Sequence, residues 1–183
     1  SVSNPQFCIQ KRRDQMKDGV VVSEGSPPIE NTIFRWGARN AVELCLALTV
    51  YHEARGEPLE GQRAVAEVVI NRVEHSAFPD DVCSVVTDAN QFSFVSRNGW
   101  AAIPSDQDAW ADAVNISQEA LRNLRLGKRT YSDQNLLWYH RKDITTVWSK
   151  DLDERMTIGD HKFFTDHQTA RASLRPRARP QKT

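Results

Sequence analysis

The sequence predicts a mainly α-helical domain with short extended segments near its C-terminal part, an α+β arrangement in which helices carry the core. Three observations lead there. Residues 39–55 are apolar almost all the way round a helix (Ala41, Val42, Leu44, Cys45, Leu46, Ala47, Leu48, Val50), the pattern of a central helix buried on every side. Residues 58–75 and 106–126 place apolar side chains at spacings of three and four, as helices with one buried face do. Residues 136–140 and 158–164 are short and aromatic, and read as extended. At 183 residues there is room for one ordinary core and not for two comfortable domains.

Taken in chain order, residues 1–35 mix polar residues with Gly25, Pro27 and Pro28 and hold no period, so they read as a loosely structured arm on a domain of residues 36–166. The first helix stops where Gly56 offers a left-handed C′ residue and Pro58 turns Glu57 away from helical geometry. Pro58 itself suits the first turn of the next helix, whose stripe is Val65, Val69 and Val73 with Ala66 and Ile70 beside it, ended by Phe78 and Pro79. Between Asp88 and Ser105 the residues Asn90, Ser93, Ser96, Asn98, Gly99 and Pro104 make a loop around Gln91-Phe92-Ser93-Phe94. The third helix buries Trp110, Val114, Leu121 and Leu124 and stops at Gly127. No internal repeat is present.

The formal charge of zero hides an asymmetry. Residues 167–183 carry five cations and no acid, which reads as a basic disordered tail, while the rest of the chain has 19 cations against 24 anions. A body with a net charge of −5 offers no nucleic-acid surface. The longest apolar stretch, Leu44 to Tyr51, is far short of the roughly 20 residues of a membrane span. The N-terminus lacks the residue order of a signal peptide, so export requires that this be a mature chain. Three cysteines, Cys8, Cys45 and Cys83, form no CxxC pair, and neither a zinc site nor a cofactor is expected. Cys45 and Cys83 both lie in apolar surroundings, as two buried thiols or as one disulfide; both readings are open at this point.

The residue that stands out is Glu53. Val42, Leu46, Thr49 and Glu53 follow one another along one helical stripe, so a carboxyl group lies in line with core residues. Desolvation disfavours its charged form, and the negative end of the helix acts the same way. Such a group keeps its proton near neutrality and can give it to a leaving oxygen, the task of the acid in glycoside cleavage. The competing reading pairs Glu53 with Arg55 or Arg63 as a helix-end ion pair. Other chemistries fit worse. A zinc-protease helix needs His-Glu-x-x-His, whereas HEARGE breaks at Gly56, and neither a GxSxG elbow nor a phosphate-binding glycine pattern occurs.

LALTVYHEARGEPLEGQRAVAEVVINRV, then FPDDVCSVV, QFSF, LWYHRKDITTVWSK and IGDHKFF, in that order over residues 41–164, resemble the SleB-type cell wall hydrolases. The resemblance implies a lysozyme-like domain that cuts peptidoglycan glycan strands between N-acetylmuramic acid and N-acetylglucosamine. The family's catalytic glutamate falls on Glu53. A lytic transglycosylase needs only that one carboxylate, and neither Glu57, Asp88 nor Asp133 is a clear second for hydrolysis, so the transglycosylase outcome is expected over a muramidase. A peptidoglycan-binding module that does not cut is the reading from another class.

Carried over position by position, the resemblance places Gln91, Ser93, Tyr139 and His140 along the glycan groove, with Trp148 as a stacking residue and Glu57 and His161 in support. Packing is the alternative for Tyr139, His140 and the tryptophans Trp138 and Trp148, and Asn71 and Arg72 are expected to tie helices together. Where many relatives flank the QFS stretch with cysteines, this chain has Asn90 and Ser96. The cysteines of the CLA and VCSVV stretches remain, so the resemblance implies a Cys45–Cys83 bridge. It also implies a periplasmic or exported enzyme, phage-encoded lysis being the other setting. A monomer is expected, and composition names no recruiting protein.

Overall fold

The computed structural model describes residues 37–88, 104–131 and 135–167. The arm of residues 1–35, nearly all of the basic tail, and Cys8, Gln91, Ser93 and Asp133 lie outside them.

Helix α1 (Ala41–Ala54) is the central helix: Leu44 to Tyr51 are all buried, and α2 (Leu59–Glu74), α3 (Val82–Thr87) and α4 (Gln107–Arg125) pack against it. Local chemistry sets its ends. The Asn40 side chain accepts from the Glu43 N–H at 2.9 Å, and past the Arg55 cap Gly56 has φ +87°. Asp81 and Asp106 cap α3 and α4 in the same way, through Ser84 N–H at 2.8 Å and Ala109 N–H at 3.0 Å. Three of these helices match the periodic segments of the sequence within two or three residues; α3 was not expected. One further point differs: Val42, expected on the buried stripe, is 41% exposed.

Three antiparallel strands, β1 (Trp138–Arg141), β2 (Asp153–Ile158) and β3 (His161–Thr165), form a sheet in the order β1-β3-β2. Residues 158–164, expected as one extended segment, are instead the two sides of a hairpin: Ile158 pairs with His161 across Gly159 and Asp160. Glycine in first place is what a two-residue hairpin loop favours, and Gly159 has φ +57°. A short 3-10 turn, Trp148–Asp151, precedes β2.

The sheet is held to the helices by polar groups as much as by apolar packing. Asn71 Nδ2 donates to the Leu136 carbonyl at 3.0 Å, and the fully buried Arg72 donates from Nε to the Leu137 carbonyl at 2.8 Å while lying over the Phe78 ring. The NRV stretch therefore ties helix to strand. At the other end of the sheet, the Asp160 N–H donates to Glu57 Oε2 at 2.8 Å, fastening the hairpin loop to the junction of α1 and α2. Gln62 Nε2 closes that junction by donating to the Glu57 carbonyl at 3.0 Å. Glu67, buried in α2, accepts from Thr130 N–H and Tyr131 N–H at 2.8 Å each and so pins the chain leaving α4. Burial pushes its carboxyl up, with the two backbone donors opposing.

Cys45 of α1 and Cys83 of α3 are joined in a disulfide, closing a loop of 38 residues. Loop-closure entropy gives such a bridge about 2–4 kcal/mol of stability. Reduction, or Cys45→Ser with Cys83→Ser, should lower the urea midpoint by a corresponding amount, which a far-UV titration with and without reductant measures. The hairpin yields a second expectation. A Cβ on Gly159 would collide with Glu57 Oε2 and crowd Pro58, whereas Gly127, at a similar φ of +64°, has open space around it. Gly127→Ala should cost about 1 kcal/mol from backbone strain alone. Gly159→Ala should cost clearly more in the same denaturation experiment.

Candidate active site

Glu53 lies in the last turn of α1, half-buried, where the first helix meets the sheet. The helix-end ion pair open to it in the sequence is not where the two arginines go. Arg55 Nη1 donates to the Tyr51 hydroxyl at 2.9 Å, and Arg63 pairs with Glu119 at 3.2 Å. Tyr139 of β1 does reach the carboxylate: its hydroxyl donates to Glu53 Oε2 at 3.0 Å.

Tyr139 is well suited to be a permanent donor. It is 1% exposed, and burial together with the neighbouring Glu53 charge holds its phenol well above the ordinary range, so it keeps its proton. Phe163 and His161 of β3 enclose the ring, with centroids at 5.7 and 5.2 Å. His161 is buried behind it, and burial lowers its pKa against the opposing charge of Glu57. A neutral imidazole edge-on to Tyr139 supports the ring rather than reaching Glu53.

Tyr51, one turn before Arg55, braces the same corner. Its oxygen accepts from Arg55 Nη1 at 2.9 Å and from the Ser105 and Asp106 N–H groups at 3.1 Å each. Burial pushes this phenol up, but the hydrogen bonds from Asp106, Ser105 and Arg55 outweigh it and the net shift is downward. The start of α4 is thereby locked to the last turns of α1. Nothing in the sequence analysis singled out Tyr51; the signal available was a tyrosine in the middle of an apolar helix, whose hydroxyl must find partners when buried.

The other expected site residues divide. Tyr139 and His140 are neighbours on a strand, so they point to opposite faces. Tyr139 faces Glu53. His140 faces away, its ring stacked on Phe164 at 4.9 Å and edge-on to Trp148 at 5.5 Å, with Nδ1 2.7 Å from the Arg141 carbonyl. The structure thus brings His140 and Trp148 together, but not with Glu53. Trp138 is buried against Phe78. Glu57, offered as a supporting residue, spends its carboxylate on the Asp160 amide. Gln91 and Ser93 fall outside the described residues. Among the described residues, no three His, Cys, Asp or Glu side chains are grouped as a metal site, and no helix is long and apolar enough to cross a membrane.

Glu53 is thus a half-buried carboxylate whose Oε2 is held by an un-ionised phenol and whose Oε1 is enclosed by the fold. Comparison with known proteins identifies the family. A family model described as Cell Wall Hydrolase matches residues 56–164, starting just past Glu53. The spore cortex-lytic enzyme of Oceanobacillus iheyensis is 33% identical over 129 residues, covering 69% of this chain and 42% of that protein. The spore cortex-lytic enzyme of Bacillus subtilis is 41% identical over 120 residues, covering 64% of this chain and 35% of that protein. The chain therefore spans less than half the length of these relatives. Two solved structures are similar over most of the described fold. The catalytic domain of the Bacillus cereus SleB protein has a TM-score of 0.54 at 30% identity, covering 69% of this chain and 91% of that one. The catalytic domain of the germination-specific lytic transglycosylase SleB from Bacillus anthracis has a TM-score of 0.55 at 27% identity, covering 79% and 100%. With residues 56–164 matched, a span that takes in α2, α3, α4 and nearly all of the sheet, this chain belongs to the Cell Wall Hydrolase family, on its SleB side.

Proposed function

We propose that the protein cleaves peptidoglycan glycan strands between N-acetylmuramic acid and N-acetylglucosamine, with Glu53 as sole acid and base, and that it finishes as a lytic transglycosylase. The observation that carries this is the Tyr139–Glu53 hydrogen bond at the end of the buried helix. It holds Oε2 as an acceptor, so the transferable proton of the acid form belongs on Oε1.

In the first step Glu53 gives that proton to the glycosidic oxygen, and the bond from that oxygen to C1 of the muramic acid breaks with oxocarbenium character at C1. In the second, the C6 hydroxyl of the same sugar attacks C1 while the Glu53 carboxylate takes the hydroxyl proton. A 1,6-anhydro ring closes, the carboxyl group is restored, and no water is consumed. One carboxylate serves both halves. A muramidase would need a second group to activate water or to hold the sugar, and Glu57 is engaged by the hairpin loop. The SleB domain from Bacillus anthracis is itself described as a lytic transglycosylase, which supports the same outcome here. The Cys45–Cys83 disulfide fits an exported or periplasmic enzyme, since its substrate and an oxidising medium lie outside the cytoplasm.

Two variants test the assignment. Glu53→Gln keeps the shape and removes the titrating proton, so it should lower the rate by about 10²–10⁴-fold with an unchanged melting temperature. Mass spectrometry of soluble products from purified peptidoglycan should show 1,6-anhydro-muramic ends from the native protein and none from the variant. Reducing ends heavier by one water would mean hydrolysis instead. Tyr139→Phe removes the donor to Oε2 and should slow turnover by about 10–100-fold, the range for a lost hydrogen bond to a charged group. Because the variant stabilises the carboxylate less, the limb of the pH–rate profile that reports loss of the Glu53 proton should move to higher pH. A profile left in place would remove Tyr139 from the site.

A further inference from the structure

We propose that the pocket on the outer face of the sheet, behind the strand that carries Tyr139, is a second binding site, and that it takes the carboxylate-bearing peptide stems of peptidoglycan. This rests on the reading of the protein as a peptidoglycan-cleaving enzyme, since that reading supplies the ligand.

The pocket is formed by β1, β3 and the segment connecting β1 to β2, and its volume is about 310 Å³. That is enough for one or two amino-acid residues of a ligand, at the small end of sites that hold organic molecules. Strand alternation separates it from Glu53. His140, Lys162 and Phe164 point outward, while Tyr139, His161 and Phe163 point to the helices. The irregular pairing at Glu154–Met156 keeps Glu154 opposite Phe164 and Thr157 opposite Lys162, so the edge strand adds its polar residues to the same outer face.

Three features define what would bind. The floor is apolar, built on Phe164 and Leu152, with Ile144 at the rim 38% exposed. Within it lies one polar group that the fold leaves unused. His140 is 3% exposed, and its Nδ1 is close enough to the Arg141 carbonyl, 2.7 Å, that this nitrogen must carry the proton. In the neutral ring Nε2 is the acceptor, and it has no hydrogen-bond partner among the described residues. Third, the rim carries one cation that the fold leaves unneutralised. Lys162 pairs with Glu154 at 3.2 Å and Lys142 with Asp160 at 2.8 Å, but the exposed Lys150 has no acidic partner among the described residues. An amide N–H for the histidine, aliphatic groups for the floor and a carboxylate for Lys150 are found together in a short acidic peptide. A simple anion would use only the rim. A neutral glycan would leave Lys150 without a counter-charge.

The test is a titration of the isotope-labelled protein with N-acetyl-L-alanyl-γ-D-glutamyl-meso-diaminopimelate, followed by backbone amide shifts in nuclear magnetic resonance. Saturable movement at His140, Lys150, Lys162 and Phe164 is expected, and it should persist in Glu53→Gln. Lys150→Glu, at an exposed position, should weaken the binding by about tenfold through charge reversal. Lack of movement, movement only around Glu53 and Tyr139, or an unchanged affinity in Lys150→Glu would each overturn the proposal. So would an equal response to acetate at the same carboxylate concentration, which would mark an adventitious ion only. The titration reads binding and not cutting, so its failure would leave the glycan-cleaving reading standing. Absence of any soluble glycan fragments from native protein would instead count against that reading alone.

Discussion

The placement of the sheet against the end of α1 depends on a buried guanidinium. Arg72 is fully enclosed, and it is held to the Leu137 carbonyl just ahead of β1. Removing a charge from water costs several kcal/mol, so a leucine at this position would pack at lower cost, and the gain from arginine has to be geometric. Its rigid fork sets where β1 begins, and with it the register that aims Tyr139 at Glu53 two residues later. Asn71 fixes the preceding carbonyl, that of Leu136, and Glu57 fixes the hairpin at the far end through Asp160. A three-stranded sheet with a modest apolar face would otherwise be free to shift by the fraction of an ångström that breaks a hydrogen bond.

The helices were readable in the sequence because burial follows a period of 3.6 and the stops are chemical. Gly56 with Pro58, and Gly127, end helices in the structure where they do in the sequence. Helix α3, with six residues, is too short to show a period and announces itself only by the Asp81 cap. The sheet was less legible for a related reason. Strands of four to six residues carry few alternations, and the Gly159–Asp160 loop sits inside what reads as one short extended segment.

Glu53 was legible because a carboxylate in a buried stripe violates the pattern around it. Its partner was only half legible. Tyr139 and His140 are adjacent polar-tipped aromatics, and the resemblance placed both in the groove, yet a strand with a period of two cannot give both residues to one face. The disulfide shows a different limit. Apolar surroundings suit a thiol and a bridged cysteine equally, and only the folded approach of α1 to α3 brings Cys45 and Cys83 together.

The same hydrogen bond bears on how one carboxylate can act twice. In the proposed cycle Glu53 is first an acid and then a base, and Tyr139 donates to Oε2 in both states. A donor is worth more to the carboxylate than to the neutral acid, so the tyrosine favours the second state and makes the first proton transfer easier. Apolar walls around a half-buried group work against the charge and favour the return. The site therefore needs a donor that never takes the proton itself. Burial and the Glu53 charge hold the Tyr139 phenol high enough to ensure that, which a histidine at the same place, titrating near neutrality, would not.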